Sequence, residues 1–152
     1  MATAAPRLSP ADTKTRILDA AEALFVGGGF DSMSMRQITS TAGVNLAAVN
    51  YHFGSKDALI HAVLARRLDP LDGQRLAMLD AFEAAYGERM SCEHVLVALF
   101  LPAVRIFRSE SPMADSFLHF IGRAYTDPSP VVRDFIQTNY IQTLGRFFFA
   151  FQ

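Results

Sequence analysis

The chain has 152 residues, of which 51% are hydrophobic and 19% are charged, and its formal net charge is −1. This composition excludes a disordered chain and suits one folded domain, or a small module fused to a larger one. A single cysteine, Cys92, excludes an internal disulfide framework and a multi-cysteine zinc site. The longest apolar run, VLVALFLPAV, is too short to span a bilayer, and the N-terminus lacks the apolar core of a secretory signal. These features predict a soluble, intracellular protein.

The charge is distributed unevenly. Residues 1–68 carry seven Lys and Arg against five Asp and Glu, whereas residues 69–152 carry seven against ten. A mildly basic N-terminal part followed by an acidic body predicts two parts with different tasks.

Helical spacing of apolar residues dominates the N-terminal part. From Asp12 a helix is predicted up to the glycine triplet 27–29, because glycine favours the left-handed helix end. Ser34 is a candidate N-cap for a short helix over 35–41, and Asn45 for another over 46–52 with Val49 as its core residue. Ser55 then precedes a fourth predicted helix over 56–68.

The C-terminal part is also helical in pattern. Asp69-Pro70 is expected to interrupt the helix, and further helices are predicted over 71–86, 92–108, 112–125 and from 131 to at least 151. The helix over 92–108 is apolar nearly all round and is therefore expected to be buried, with a kink or break at Pro102. The predicted fold class is all-α, with an N-terminal three-helix domain over 10–68 and a C-terminal helical domain over 69–152.

The segment Ala42-Gly43-Val44 joins two short helices in a helix-turn-helix layout. Glycine lets the chain reverse without a Cβ clash, and Val44 and Val49 can hold the two helices at a fixed angle. The second helix of such a pair lies in the DNA major groove. A glycine between two short helices is common in all-α proteins, so the motif alone does not establish DNA binding.

The longer run TRILDAAEALFVGGGFDSMSMRQITSTAGVNLAAVNYHFGSKDALIHAVL resembles the N-terminal domain of the TetR family of bacterial transcriptional regulators. The resemblance is carried by ILDAAEALF, the GF that follows, MRQITSTAGV and YHFGSKDAL, and it covers residues 13–65. It implies a divergent, all-helical ligand-binding and dimerisation domain after residue 69. NYHFGSK followed by ARRLDPL is most similar to the branch that includes fatty-acid-responsive regulators of lipid metabolism.

Two features depart from the family pattern. Many members have a tyrosine at the position of Asn50, whereas here the aromatic side chain comes one residue later, at Tyr51. The chain is also short for the family and stops at RFFFAFQ. Since exposed phenylalanines favour aggregation, this segment is expected to be either buried at a dimer interface or truncated.

Within this layout, particular residues are candidates for DNA contact. Asn50 has the geometry for bidentate recognition of adenine, and small apolar side chains beside it can touch thymine methyl groups. Lys56, in the first turn of its helix, is the leading phosphate contact because the helix N-terminus also favours an anion. The resemblance implies a phosphate contact for Tyr51 or His52. The predicted DNA-binding set is Ser34, Arg36, Thr39, Asn45, Leu46, Ala47, Ala48, Asn50, Tyr51, His52 and Lys56.

The C-terminal part has candidates of two further kinds. An apolar pocket for a long-chain effector is predicted around Phe100, Phe117 and Phe120, where Arg105, Arg123 or Tyr125 would hold a charged head group. The last helix has more phenylalanine than one core face needs, which predicts a dimer surface formed by Phe135, Leu144, Phe147, Phe148 and Phe151. For most individual residues of this part, packing in the core is the simpler explanation.

An enzyme is not expected. The four histidines are scattered, and no catalytic, nucleotide-binding or metal-ligand motif occurs, so neither a cofactor nor a metal is predicted. The resemblance implies a homodimeric repressor in the bacterial cytoplasm, released from a palindromic operator on double-stranded DNA by a small hydrophobic effector. No membrane partner is predicted. The alternative is a helical module that retains this fold but uses its apolar surface to bind another protein.

Overall fold

The computed structural model describes residues 9–108 and 112–150, without the side chains of residues 112 and 113. Seven α-helices account for most of these residues, with no β-strand among them, and the predicted all-α fold is confirmed. The helices are α1 (Pro10–Gly28), α2 (Met35–Ala42), α3 (Leu46–Phe53), α4 (Lys56–Tyr86), α5 (Cys92–Arg108), α6 (Pro112–Thr126) and α7 (Pro130–Phe149).

The chain divides into two compact units, Met1–Val63 and Leu64–Gln152. The division falls inside α4, whose first two turns belong to the N-terminal unit. None of the helices formed by the described residues combines the length and apolarity that a bilayer crossing requires.

Short-range capping sets the helix boundaries of the N-terminal unit. The Ser9 hydroxyl accepts a hydrogen bond from the Asp12 backbone N–H at 3.1 Å, and Pro10 occupies the first turn, so α1 begins two residues before the predicted start at Asp12. Ser34 and Asn45 are the N-caps of α2 and α3, as predicted.

The core of the N-terminal unit is formed by side chains from α1, α2, α3 and the first turns of α4. Helix α1 packs on α2 and α3, and these two pack on each other. The fully buried side chains include Ile17 and Phe25 from α1, Ile38 from α2, Val49 from α3, and Leu59 and Ile60 from α4. This packing leaves the outer side of α3 in solvent.

Helix α4 corrects one prediction, because it runs without interruption through Pro70. Proline inside a helix costs about 3 kcal/mol, since it removes a hydrogen bond and crowds the preceding turn. Burial of Leu68, Leu71 and Leu79 on both sides of the proline offsets that cost, at about 1.5–3 kcal/mol for each side chain.

Helix α5 corrects a second prediction. It continues through Pro102 to Arg108, so no break occurs there, and it is buried on one face only. Val95, Ala98 and Pro102 recur at helical spacing and form that buried face, while exposed apolar side chains occupy the rest of the surface: Leu96, Val97, Phe100, Val104 and Phe107. Although α5 has apolar residues on nearly all sides, only one of its faces is buried.

The end of α7 is divided between core and surface. Phe147 is 2% exposed and packs in a cluster with Leu79, Val95 and Ala98, so it is a core residue and not part of the predicted dimer surface. Phe148 is 68% exposed, whereas Phe135 and Leu144 are partly buried. Phe151, the fifth residue predicted for that surface, lies outside the described residues.

Candidate functional site

The turn between α2 and α3 is formed by Gly43 in the left-handed region, with φ 64° and ψ 40°. Its backbone N–H and that of Val44 donate to carbonyl groups at the end of α2, Val44 to Thr39 at 3.0 Å. A Cβ at position 43 would lie 2.7 Å from an Arg16 guanidinium nitrogen. Glycine is therefore favoured at this turn both by the backbone conformation and by the close approach of Arg16.

One stripe of α3 faces solvent. Leu46, Ala47, Asn50 and Tyr51 are all exposed and recur at one- and four-residue steps, opposite the fully buried Val49. Tyr51 is 83% exposed, and its ring meets the His52 ring edge to face at 5.0 Å. Three of the predicted base contacts, Leu46, Ala47 and Asn50, thus share one outward surface with Tyr51, which we call the α3 stripe; Ala48, the fourth, is partly buried and lies outside it.

Three predicted DNA contacts use their polar atoms to stabilise the helices. Ser34 and Gln37 form a capping box, in which the Ser34 hydroxyl donates to the Gln37 side chain at 2.8 Å and accepts from its backbone N–H at 3.2 Å. The Thr39 hydroxyl donates to the Arg36 carbonyl at 3.0 Å, and the Asn45 side-chain oxygen accepts from the Ala48 N–H at 2.9 Å. These residues set the position of α2 and α3 even without touching DNA.

Lys56 begins α4 beside the ring of Phe30. The Lys56 ammonium group lies 4.1 Å from the ring centroid, within the range of a cation–π interaction. Because Phe30 is buried, the ring gives the lysine a fixed support at the helix N-terminus.

The C-terminal unit contains a cavity of about 230 Å³. Phe100 and Phe117, both predicted effector contacts, line it together with Phe107, Tyr125 and Tyr140. The other three predicted contacts do not: Phe120 is fully buried in the core, Arg105 is exposed, and Arg123 is partly buried elsewhere.

The charged residues among the described lining are Asp72 and Arg75, one turn apart on α4. Their side chains pair at 2.9 Å and are 19% and 12% exposed. Arg75 also donates through Nε to the Leu99 carbonyl at 2.9 Å, and Asp72 accepts from the Thr143 hydroxyl at 3.3 Å. The pair therefore links α4 to α5 and α7 at the cavity wall.

Tyr125, a half-exposed residue of the cavity lining, has a raised pKa. Burial raises the pKa of Tyr125, and the neighbouring Tyr140 adds to this effect. The two rings meet edge to face at 6.1 Å. The polar end of the cavity lining, which we define as Tyr125, Tyr140 and Asn139, thus adds two hydroxyl groups and an amide to the ion pair.

The missed pair had a sequence signal. Asp72 and Arg75 have the three-residue spacing of an ion pair on one helix face, and they interrupt the apolar stripe that contains Leu68, Leu71 and Leu79. A pair of opposite charges within a buried apolar stripe indicates an ion pair in the interior. Cys92, at the start of the helix that was expected to be buried, is exposed. No group of three or more potential metal ligands occurs within residues 9–108 and 112–150.

The fold and the α2–turn–α3 geometry define a helix-turn-helix protein with a second, helical unit. Residues 17–63 match the family model described as bacterial regulatory proteins, tetR family, and residues 97–152 match that of a tetracyclin repressor-like C-terminal domain. The HTH-type transcriptional regulator SrpR of Pseudomonas putida is 35% identical over 123 residues, which are 81% of this chain and 52% of SrpR.

A second relative matches over most of its own length. The uncharacterized HTH-type transcriptional regulator TtgW, also of Pseudomonas putida, is 35% identical over 123 residues, which are 81% of this chain and 82% of TtgW. The chain belongs to the TetR family of bacterial transcriptional regulators. Its relatives are regulators and not enzymes, as predicted.

Solved structures support the same fold. The alignment with NalD, the secondary repressor of the MexAB-OprM multidrug efflux pump in Pseudomonas aeruginosa, has a TM-score of 0.58 and 22% sequence identity. It covers 91% of this chain and 67% of NalD. At this identity the likeness concerns the fold alone.

Proposed function

We propose that the chain is a ligand-responsive repressor that binds a palindromic operator as a homodimer. The observation that carries this proposal is the α3 stripe: a short helix held by a left-handed glycine turn presents Asn50 and three apolar or aromatic side chains to solvent. Such a helix fits the major groove, where Asn50 would recognise adenine and Leu46 and Ala47 would contact thymine methyl groups.

Phosphate contacts supply the affinity that the uncharged stripe lacks. Arg36 is exposed on α2 and Lys56 begins α4, so the two cations come from the elements that flank α3 in the chain. Contacts to phosphate position a protein on the duplex, whereas contacts to base edges determine the sequence that it recognises. The division of tasks between Lys56 and Asn50 follows from this distinction.

Dimerisation is required because two recognition helices must lie about 34–36 Å apart to contact both halves of a palindrome. The exposed side chains of α7 offer a surface for it. Ile141 is 67% exposed and Phe148 is 68% exposed, and their seven-residue spacing places them on the same side of the helix, with the partly buried Leu144 between them. We assign the dimer contact to these three residues.

The cavity in the C-terminal unit supplies the effector site of the proposal. A small hydrophobic molecule bound there shifts the population between two spacings of the paired recognition helices, provided that its affinity for the two arrangements differs. Repression ends when the arrangement that does not fit the operator is favoured.

The proposal is tested by retardation of a palindromic promoter fragment with the purified chain at low salt. Asn50→Ala should abolish the sequence-specific complex, because it removes the base contact and leaves the fold intact. Arg89→Ala is the control, since this exposed arginine of the C-terminal unit lies outside the proposed DNA-binding residues. If neither the native chain nor Arg89→Ala retards the fragment, the proposal is refuted and a protein-binding module is favoured.

A further inference from the structure

We propose that the cavity selects an uncharged, planar aromatic ligand of one or two rings, and that the Asp72–Arg75 pair enforces this selection by charge. The inference deepens the effector site of the proposed function and rests on that function only in calling the ligand an effector. Three properties of the cavity support it: size, wall chemistry and electroneutrality.

Size sets the upper limit. An apolar cavity of about 150 Å³ holds one benzene ring. The cavity here has about 230 Å³, which suits two fused rings and falls below the range of roughly 300–1,000 Å³ that drug-sized ligands occupy. The cavity is open where the exposed rings of Phe100 and Phe107 line it, so a long acyl chain would have to extend beyond this volume into solvent.

The walls favour a flat ring. Five aromatic side chains line the cavity, and the rings of Phe107 and Phe117 lie 6.2 Å apart in a tilted arrangement. Aromatic groups at such distances attract one another through edge and face contacts, beyond the effect of burial alone. A planar aromatic ligand can join this arrangement, whereas a flexible chain gains only from burial.

Charge is the decisive property. Asp72 and Arg75 neutralise each other at 2.9 Å, and each makes one more hydrogen bond to a neighbouring helix. A carboxylate ligand would have to take Arg75 from Asp72, which would leave a mostly buried carboxylate without its partner. A cationic ligand would have to take Asp72 from Arg75, which would leave a mostly buried guanidinium group without its partner. A neutral hydroxyl group disturbs neither charge and can pair with Tyr125, Tyr140 or Asn139 at the polar end.

The test compares three ligands with the same two-ring body and different charges: 2-naphthol, 2-naphthoate and 2-naphthylmethylammonium. Their dissociation constants for the full chain are measured by titration calorimetry near neutral pH, with octanoate as a fatty-acid probe. We expect 2-naphthol to bind at least about tenfold more tightly than either charged analogue or octanoate, since each charged ligand breaks a mostly buried ion pair. Equal or tighter binding of 2-naphthoate or octanoate would overturn the inference.

Two variants reverse the preference if the ion pair is its cause. Asp72→Asn leaves Arg75 positive and should increase 2-naphthoate affinity by about tenfold, whereas Arg75→Gln leaves Asp72 negative and should favour the ammonium ligand. Asp69→Asn is the matched control, because this exposed residue lies one turn away on α4 and outside the cavity. If Asp72→Asn does not fold by circular dichroism, Arg75→Gln and the native comparison still decide. An unchanged order of affinities in a folded Asp72→Asn or Arg75→Gln chain would contradict the proposal.

Fluorescence anisotropy with operator DNA separates this inference from the proposed function. Selective 2-naphthol binding by a chain that does not bind DNA supports the ligand class and refutes the regulator. Operator binding by a chain that prefers 2-naphthoate supports the regulator and refutes the ligand class.

Discussion

Replacing Gly43 with alanine tests whether the left-handed turn holds the two DNA-binding helices in place. With φ 64° and ψ 40°, this position costs an L-residue about 1–2 kcal/mol. The new Cβ would also lie 2.7 Å from Arg16, but that contact is with the far end of a flexible side chain, which can move aside. Most of the cost should therefore come from the backbone, and we expect Gly43→Ala to destabilise the N-terminal unit by about 1–2 kcal/mol.

The measurement is urea unfolding followed by far-ultraviolet circular dichroism, with Gly27→Ala as the control. Gly27 lies within α1 and a Cβ there would meet no atom within 4 Å, so alanine should stabilise the helix by about 0.5 kcal/mol. The two substitutions are thus expected to have opposite signs. Equal stability of Gly43→Ala and the native chain would refute the reasoning.

An Arg16→Ala background separates backbone strain from the steric contact. If strain dominates, Gly43→Ala costs the same in this background, to within about 0.5 kcal/mol. Disappearance of the cost would show that the contact with Arg16 is the cause. Since the turn sets the angle between α2 and α3, operator affinity should fall together with stability.

Three further outcomes are expected. Phe147→Ala should lower the free energy of urea unfolding by about 3–5 kcal/mol because it empties a buried site. Phe149→Ala, at a residue 74% exposed, should change it by less than about 0.5 kcal/mol. Similar losses in the two variants would contradict the burial of Phe147. Arg146 donates to Glu83 at 2.6 and 2.7 Å and lowers the pKa of Glu83 below its ordinary 4.5. The native chain should therefore be more stable than Arg146→Met by at most about 1 kcal/mol above that pH, and this difference should vanish in acid. A difference in stability that persists at low pH would disprove the role of Glu83. Lys56→Ala should reduce the salt dependence of operator binding by about one unit of log–log slope, measured by anisotropy, and an unchanged slope would remove Lys56 from the phosphate contacts.

The helices of the N-terminal unit could be predicted from sequence because their boundaries depend on neighbouring residues. Ser34 and Asn45 cap through bonds that reach three residues ahead, and Gly43 adopts a conformation that few other residues tolerate. Such interactions are visible in a short stretch of sequence. The outward orientation of Asn50 follows from its spacing to the buried Val49 in the same way.

The C-terminal unit departs from prediction where tertiary packing prevails over local preference. Pro70 was expected to end a helix, but burial of Leu68, Leu71 and Leu79 keeps the helix continuous. The composition of α5 showed that the helix is apolar, but it did not show which face of the helix would be buried. The same limit applies to the proposed effector site, because it depends on how the helices pack whether Arg75 or the predicted Arg105 lines the cavity.

Selection of bound sequences from a random pool of duplex DNA tests the central claim most directly. The account predicts an inverted repeat whose half-sites lie one helical turn, about 34–36 Å, or a multiple of it apart, with an adenine in each half-site whose selection is lost in Asn50→Ala. Enrichment of no sequence, or of one without two-fold symmetry, would contradict the assignment of α3 as the recognition helix of a homodimeric regulator.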